Sequence, residues 1–303
     1  MEKLTFIQLD PRLKKEDQRE YDLWIEVTIP WMKNDVDHHG EISHLPPAIQ
    51  QIVDKMWKWE IKDLFEWKTD VRLATVRPDL DSIWTMAVIK SYNEWKEIDK
   101  KLVCLISVLD QYWPLWLTKD LKDDNDVDKY RKIINAMSMV VFDFKKWIDE
   151  KVLFVQDYLS GDIDESFIEE AWIKKLENDK KIRENSKIKE IIQGKLVFIE
   201  SSERGALWLG YEIAPTVIAV NETMPVTQKD ENGRFMPTWE VYRKYTIAKS
   251  TESIDTDIKA IMDELNSLED WRWWRWTIMW SPQNKSSKLS KEKVIDVVRK
   301  YIK

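Results

Sequence analysis

The first third of the chain repeats one pattern, in which a short apolar run leads into a loop that carries acidic residues. Residues 4–9, 23–29 and 71–76 are such runs, rich in β-branched and aromatic side chains, and we predict that each forms a β-strand. Between the second and third runs, residues 48–59 have apolar side chains at helical spacing. Strands that alternate with helices favour an open α/β sheet, in which ligands bind at the carboxyl ends of the strands.

Two of these acidic loops contain residue types that bind divalent metal ions. Residues 35–40 read Asp-Val-Asp-His-His-Gly and residues 77–82 read Arg-Pro-Asp-Leu-Asp-Ser, so together they hold four carboxylates and two of the three histidines. Clustered carboxylates repel one another unless a cation neutralises them. Oxygen ligands with one or two imidazoles suit Mn²⁺ or Mg²⁺ better than Zn²⁺, and the single cysteine, Cys104, excludes a site built of thiolates.

Several of these candidates have a simpler structural alternative. Asp79 and Asp81 could serve only in a turn and a helix cap, since Asp81 or Ser82 is placed to cap the helix predicted to follow. That helix would point its N-terminus towards a phosphate or a metal-bound anion. Asp110 follows an apolar run, where it either completes a metal site or only ends a helix or strand. His44 is either a further ligand or, as we favour, a surface histidine of a loop.

Composition limits the classes of protein and of ligand. The chain of 303 residues is 43% hydrophobic and 34% charged, which is typical of a globular protein rather than a disordered one. No apolar run approaches the roughly 18 residues that a membrane helix needs, and we expect a cytoplasmic protein that does not act at a membrane. A single cysteine agrees with a reducing compartment. The net charge of −7 argues against a long nucleic-acid groove and leaves a small or short phosphorylated substrate.

The balance of glycine and tryptophan is abnormal. A soluble chain of this length is expected to contain about 20 glycines, whereas this one contains 6 Gly and 18 Trp. Several Trp residues, among them Trp84, Trp113 and Trp271, stand where turns and helix ends favour glycine. We hypothesise that many of them are glycine codons translated under the wrong genetic code, because some bacterial lineages read UGA as glycine. The alternative is a protein that is rich in genuine Trp and has aromatic binding surfaces.

The remainder of the chain predicts a helical linker and a second α/β domain. Residues 117–193 are highly charged with a helical pattern, and the lysine-rich residues 174–189 are expected on solvated helix faces. We predict a metal-binding domain over residues 1–125, a helical linker over 126–193 and a substrate-binding α/β domain over 194–303, with the metal site in the cleft between the two domains. Within the last domain the pattern predicts strands at 196–200, 216–220 and 242–248 and helices at 255–268 and 291–302.

A segment that interleaves tryptophan with arginine lies between the last two predicted helices. Read literally, residues 271–276 (Trp-Arg-Trp-Trp-Arg-Trp) form an aromatic and cationic cluster that could stack bases or sugars. With glycine at each Trp, the same backbone could wrap a phosphate that Arg275 clamps. A flexible connector is the remaining alternative, which the regular spacing of the two arginines disfavours.

Three of these motifs resemble those of the DHH phosphoesterase superfamily. They are the triplet Asp37-His38-His39, the Pro-Asp-Leu-Asp-Ser-Ile segment of residues 78–83, and the isolated Asp110. Glycine at position 84 would sharpen the match, and the glycine form of residues 273–282 is similar to the substrate-binding motif of the family's C-terminal domain. The resemblance implies a site with two divalent cations, Mn²⁺ or else Mg²⁺. The implied metal ligands are Asp37, His38, Asp79, Asp81 and Asp110, and the implied catalytic residues are His39 and Asp81.

Two features depart from the family pattern. The family usually has a histidine before its Asp-x-Asp pair, where this chain has Arg77-Pro78, so that ligand is missing or is supplied from elsewhere, for which His44 is a candidate. The family also usually places the Asp-His-His triplet last, whereas here it comes first. The pattern is that of a permuted or remote relative.

The expected function is therefore metal-dependent hydrolysis of a phosphodiester or phosphoanhydride in a small nucleotide or short oligonucleotide. Substrate would be bound by Arg204, Arg272, Trp273, Trp274 and Arg275. The first alternative is a non-catalytic nucleotide- or nucleic-acid-binding protein of the same fold. The second is a carbohydrate-binding protein with a platform of genuine Trp. A homodimer is compatible with each of these functions.

Overall fold

The structure, a computed structural model, describes residues 3–9, 21–26, 35–37, 45–57, 68–76, 78–112, 127–143, 145–229, 235–250, 255–275 and 277–303. The chain divides into two compact units. The first takes in Met1–Gln111 and Thr118–Ile173, and the second takes in Tyr112–Leu117 and Lys174–Lys303.

The first unit is built on a parallel sheet. Its strands are β1 (Lys3–Gln8), β2 (Leu23–Ile25), β3 (Asp35–Val36) and β4 (Asp70–Thr75), in the order β1-β4-β2-β3. Every neighbouring pair is parallel, and Trp24 of β2 lies opposite both Ala74 of β4 and Asp35 of β3. The carboxyl ends of β2, β3 and β4 therefore meet at one edge of the sheet.

The first unit also contains helices, three of which pack against a single buried helix. The helices are α1 (Ala48–Trp57), α2 (Leu80–Asn93), α3 (Lys100–Tyr112), α4 (Val127–Val141), α5 (Ile148–Leu159) and α6 (Glu165–Glu184), the last of which runs on into the second unit. Helix α2 packs against α1, α4 and α5 and is buried at nearly every position from Asp81 to Ile89. A helix that is apolar on all sides is stable only inside a core. The position of this helix therefore fixes the position of Asp81, the acidic residue of its first turn.

The second unit is built on a mixed sheet of six strands. The chain forms β5 (Ser186–Ile192), β6 (Leu196–Ser201), α7 (Leu207–Tyr211), β7 (Thr216–Lys229), β8 (Phe235–Lys249), α8 (Ile258–Asn266), β9 (Arg272–Arg275), β10 (Ile278–Trp280) and α9 (Lys291–Lys300). The strand order is β5-β6-β7-β8-β10-β9, with β6 and β7 parallel and the other pairs antiparallel.

Separate apolar clusters cover the two faces of this sheet. On one face α8 and α9 pack residues such as Ile261 and Val297 against Phe198, Ile218 and Tyr245. On the other face α7 and the end of α6 pack against Val197, Ile199 and Val217 of β6 and β7. Because both faces are buried, β6 reads as a nearly continuous apolar run rather than as an alternating one.

The predicted α/β fold with a parallel sheet is confirmed, and so are the strands β1, β2, β4, β6, β7 and β8 and the helices α1, α2, α8 and α9. The assignment of residues 174–189 to helix faces is wrong at its end, because α6 stops at Glu184 and β5 begins at Ser186. The short helix α7 was not predicted. The domain boundaries and the cleft between domains stay predictions. None of the helices that the structure describes is long and apolar enough to cross a membrane.

Gly210 allows α7 to lie close to β7. A Cβ at Gly210 would lie 2.7 Å from Cγ2 of Val217 and 3.0 Å from Cδ1 of Ile199 and would also overlap Cγ1 of Val217. We expect Gly210→Ala to lower the free energy of unfolding by about 1–3 kcal/mol, as overpacking of a core does. Urea denaturation measures it.

A double-mutant cycle provides the control. Val217→Ala removes both clashing methyl groups, so Gly210→Ala should be less destabilising in that background than in the wild type. Equal effects in the two backgrounds would contradict a steric origin.

Candidate functional site

The N-terminus of α1 brings the two acidic segments together. The Asp81 carboxylate, carried by α2, accepts hydrogen bonds from the backbone N–H groups of Ala48 (Oδ2, 2.8 Å) and Ile49 (Oδ1, 3.1 Å). Gln51, one turn along α1, donates from Nε2 to the carbonyl oxygen of Asp37 at 2.9 Å. Asp37 and Asp81, which are 44 positions apart in the chain, are thus both held by the first turns of one helix.

Helix geometry explains this arrangement. The first N–H groups of an α-helix have no partner within the helix, and they carry partial positive charge. The segment before α1 is Pro46-Pro47, which has no side chain that could cap these groups. Asp81 supplies the missing acceptors from α2 and is itself only 2% exposed. The first function of Asp81 is therefore to join α1 to α2 through a buried carboxylate.

Glu26 is a further acidic residue of this edge, and sequence reasoning missed it. It directly follows β2, between the strands that lead to Asp37 and to Asp79, and it is 7% exposed. Its backbone N–H donates to the carbonyl of Val36 at 3.0 Å, and its φ is +59°, in the left-handed region. The sequence feature that could have identified Glu26 is its place directly after the apolar Leu-Trp-Ile segment of β2.

Asp79 and Asp110 lie at opposite ends of their helices. Asp79 is the N-cap of α2, where its Oδ1 accepts from the N–H of Ser82 at 3.0 Å, so the prediction of Asp81 or Ser82 as the cap is wrong. Asp110 lies within the last two turns of α3, so the apolar run before it is a helix. A carboxylate near a helix C-terminus is disfavoured by the helix dipole. Helix stability therefore does not account for Asp110.

The electrostatic environment of Asp81 links these residues. Burial raises the pKa of the Asp81 carboxyl well above its ordinary value, and the negative charges of Glu26, Asp110 and Asp79 raise it further. The hydrogen bond from Ile49 acts in the opposite direction. Asp81 is thus surrounded by three other acids and needs either a proton or a nearby cation.

The donor chemistry of this group fits a hard divalent cation. Asp37, Asp79, Asp81, Asp110 and Glu26 offer carboxylate oxygens, which Mn²⁺ and Mg²⁺ prefer. Among the described residues, however, no three His, Cys, Asp or Glu side chains are arranged so that they could hold a metal ion by themselves. Arg77 lies outside the described residues, and so do the remaining candidates, His38, His39 and His44. A metal centre here would therefore depend on those side chains as well.

The predicted substrate-binding residues all belong to the second unit. Arg204 is exposed in the turn after β6 and lies near Tyr242 of β8; burial raises the pKa of Tyr242, and the charge of Arg204 partly opposes that rise. Arg272, Trp273, Trp274 and Arg275 form β9 at the sheet edge, with β10 between them and β8. The side chains of these four lie outside the described part of the structure.

The raised pKa of Asp81 predicts a pH dependence of stability without metal. The folded-state pKa exceeds the ordinary value of about 3.9, so the stabilising contribution is fully present below that pH and is lost as pH rises through the folded-state pKa. We expect Asp81→Asn to gain stability relative to the wild type as pH rises, although loss of one acceptor lowers its stability by a constant amount. Urea denaturation in a chelator at several pH values measures the difference, and a difference that does not vary with pH would contradict the raised pKa.

A scan against protein-family models gives no match to this chain, and a search of curated proteins gives none either.

Proposed function

We propose that the protein is a metal-dependent phosphoesterase whose centre lies at the carboxyl edge of the parallel sheet. The observation that carries the proposal is the environment of Asp81, a buried carboxylate whose pKa is raised by burial and by three nearby acids. A protein core rarely gathers carboxylates unless a cation compensates them. The edge at which they meet is also where open α/β sheets bind ligands.

The residues of the chain have distinct parts in this proposal. Asp37, Asp79, Asp81 and Asp110 would hold the cations with His38, and His39 would move a proton near the reacting phosphate. When bound, the cations would supply a hydroxide nucleophile and polarise the phosphoryl oxygen. The bonds from Ala48 and Ile49 orient the Asp81 carboxylate at the N-terminus of α1.

A small substrate agrees with the charge of the protein. At a net charge of −7, the chain does not favour a long polyanion. Arg204 and the arginines of β9 are the candidates for binding a substrate phosphate, because guanidinium groups pair with phosphate oxygens in a bidentate manner. A nucleotide or short oligonucleotide is the substrate class that we propose.

The test is hydrolysis of a generic aryl phosphodiester in the presence of Mn²⁺ and after chelation. We expect activity that requires the metal and that falls about 100-fold or more in Asp81→Asn, since altered groups in and around metal sites reduce activity on that scale. Mn²⁺ should also raise the melting temperature of the wild type through linkage and raise that of the variant much less.

Asp22→Asn is the matched control. Asp22 lies immediately before β2, at the amino edge of the same sheet, where it binds Lys68 and the N–H of Arg72. The Asp22→Asn variant should retain full metal-dependent activity. If Mn²⁺ neither stabilises the wild type nor supports any hydrolysis, the proposal is wrong.

One observation favours the alternative of a non-catalytic nucleotide-binding protein. Both oxygens of Asp81 already accept backbone hydrogen bonds, which is the contact pattern of a purely structural carboxylate. Such a protein would bind nucleotides without requiring Mn²⁺ and would not hydrolyse the diester. Calorimetric titration of a nucleotide with and without Mn²⁺ separates the two functions.

A further inference from the structure

The C-terminal end of α2 has a backbone geometry that usually requires glycine. The N–H of Lys96 donates to the carbonyl of Ser91 at 2.9 Å, and the N–H of Trp95 donates to that of Tyr92 at 3.1 Å. These two bonds define a Schellman motif, in which the residue after the C-cap adopts the left-handed conformation. That residue is Trp95, with φ of +57°.

Helix α5 ends in the same motif with glycine in the equivalent position. The N–H of Asp162 donates to the carbonyl of Asp157 at 2.9 Å, and that of Gly161 donates to Tyr158 at 3.3 Å. Gly161 has φ of +85°. A side chain in this region places its Cβ too close to a backbone carbonyl, a clash that glycine avoids. The chain thus contains both an ordinary and an aberrant form of one motif.

The surroundings of Trp95 offset this conformation only in part, through a stack of its indole on the Tyr92 ring with centroids 6.3 Å apart. Among the described residues with a side chain, only Glu26, Trp95 and Asn284 have positive φ. Asparagine tolerates the left-handed region, and Glu26 belongs to the carboxylate group of the proposed centre. Trp95 is 74% exposed, so its indole gains little from burial.

Two buried tryptophans are also unusual, because the N–H group of each indole is unpaired within the part of the chain that the structure describes. Trp84 in α2 and Trp271 before β9 are fully buried, and neither indole N–H has a hydrogen-bond acceptor among the described residues. A buried tryptophan usually finds a partner for this group, because an unpaired donor is costly away from water.

We infer that positions 84, 95 and 271 are occupied by glycine in the natural protein, and that the gene has UGA codons there which its host reads as glycine. Backbone conformation identifies position 95, and unpaired buried donors identify the other two. These three positions would account for part of the imbalance between 6 Gly and 18 Trp. Their identity does not depend on the proposed hydrolase activity.

Peptide mass spectrometry of the protein purified from its own host is the first test. Trypsin should release residues 91–96, 73–90 and 260–272 as separate peptides, each of which contains one of the three positions. We expect the sequence Ser-Tyr-Asn-Glu-Gly-Lys for the first peptide and glycine at positions 84 and 271 in the others. Tryptophan at any of the three positions overturns the inference for the set.

Recombinant variants supply a test that does not need the natural host. We expect Trp95→Gly to lower the unfolding equilibrium constant about fivefold. Trp95→Ala is the matched control, since it also removes the indole but keeps the strained Cβ, and it should be less stable than Trp95→Gly. Equal stability of the two variants at position 95 overturns the inference.

Discussion

The pairing of the Asp81 carboxylate with the first two amides of α1 is the interaction on which the first unit depends. It joins two helices and supplies acceptors that α1 lacks, because α1 begins after two prolines, whereas α2 has its own cap in Asp79. A charged group is buried only when it is paired. Partial positive charge at a helix N-terminus supplies part of that compensation. The remaining negative charge, from Glu26, Asp79 and Asp110, is not balanced by this contact.

Sheet topology explains why these acids meet. In the order β1-β4-β2-β3 all strands are parallel, so the residues that follow β2, β3 and β4 emerge at the same edge. Glu26 follows the middle one of these three strands, Asp37 follows β3, and Asp79 comes after β4. The acidic loops are far apart in sequence, and one sheet edge collects them. This edge is also the end from which α2 begins, so its first turn contributes Asp81 to the same group.

The sequence predicted the strands and helices that carry a strong period and missed the features that depend on tertiary context. β-branched runs identified β1, β2 and β4, and apolar spacing identified α1. β5 was missed because its Ser-Lys-Ile-Lys-Glu segment carries exposed charges and directly continues the lysine-rich helix pattern before it, whereas pairing with β6 decides its conformation. Glu26 was missed because a single acid beside an apolar strand forms no motif. Asp81 was found by its motif, but its bonds to α1 could not be inferred from spacing.

The identity of residue 84 and the geometry of the acidic group are physically coupled. Trp84 lies three residues after Asp81 on α2, and both are buried among the neighbours of that helix. Protein cores are closely packed, so the volume at position 84 helps to set how near α2 lies to the elements around it. The bonds from Asp81 to Ala48 and Ile49 depend on that approach. Glycine at position 84 would leave the volume of an indole unfilled beside α2, and partial closure of that space would change the distance between α2 and its neighbours. The spacing of the carboxylates at the sheet edge is therefore sensitive to the side chain at position 84.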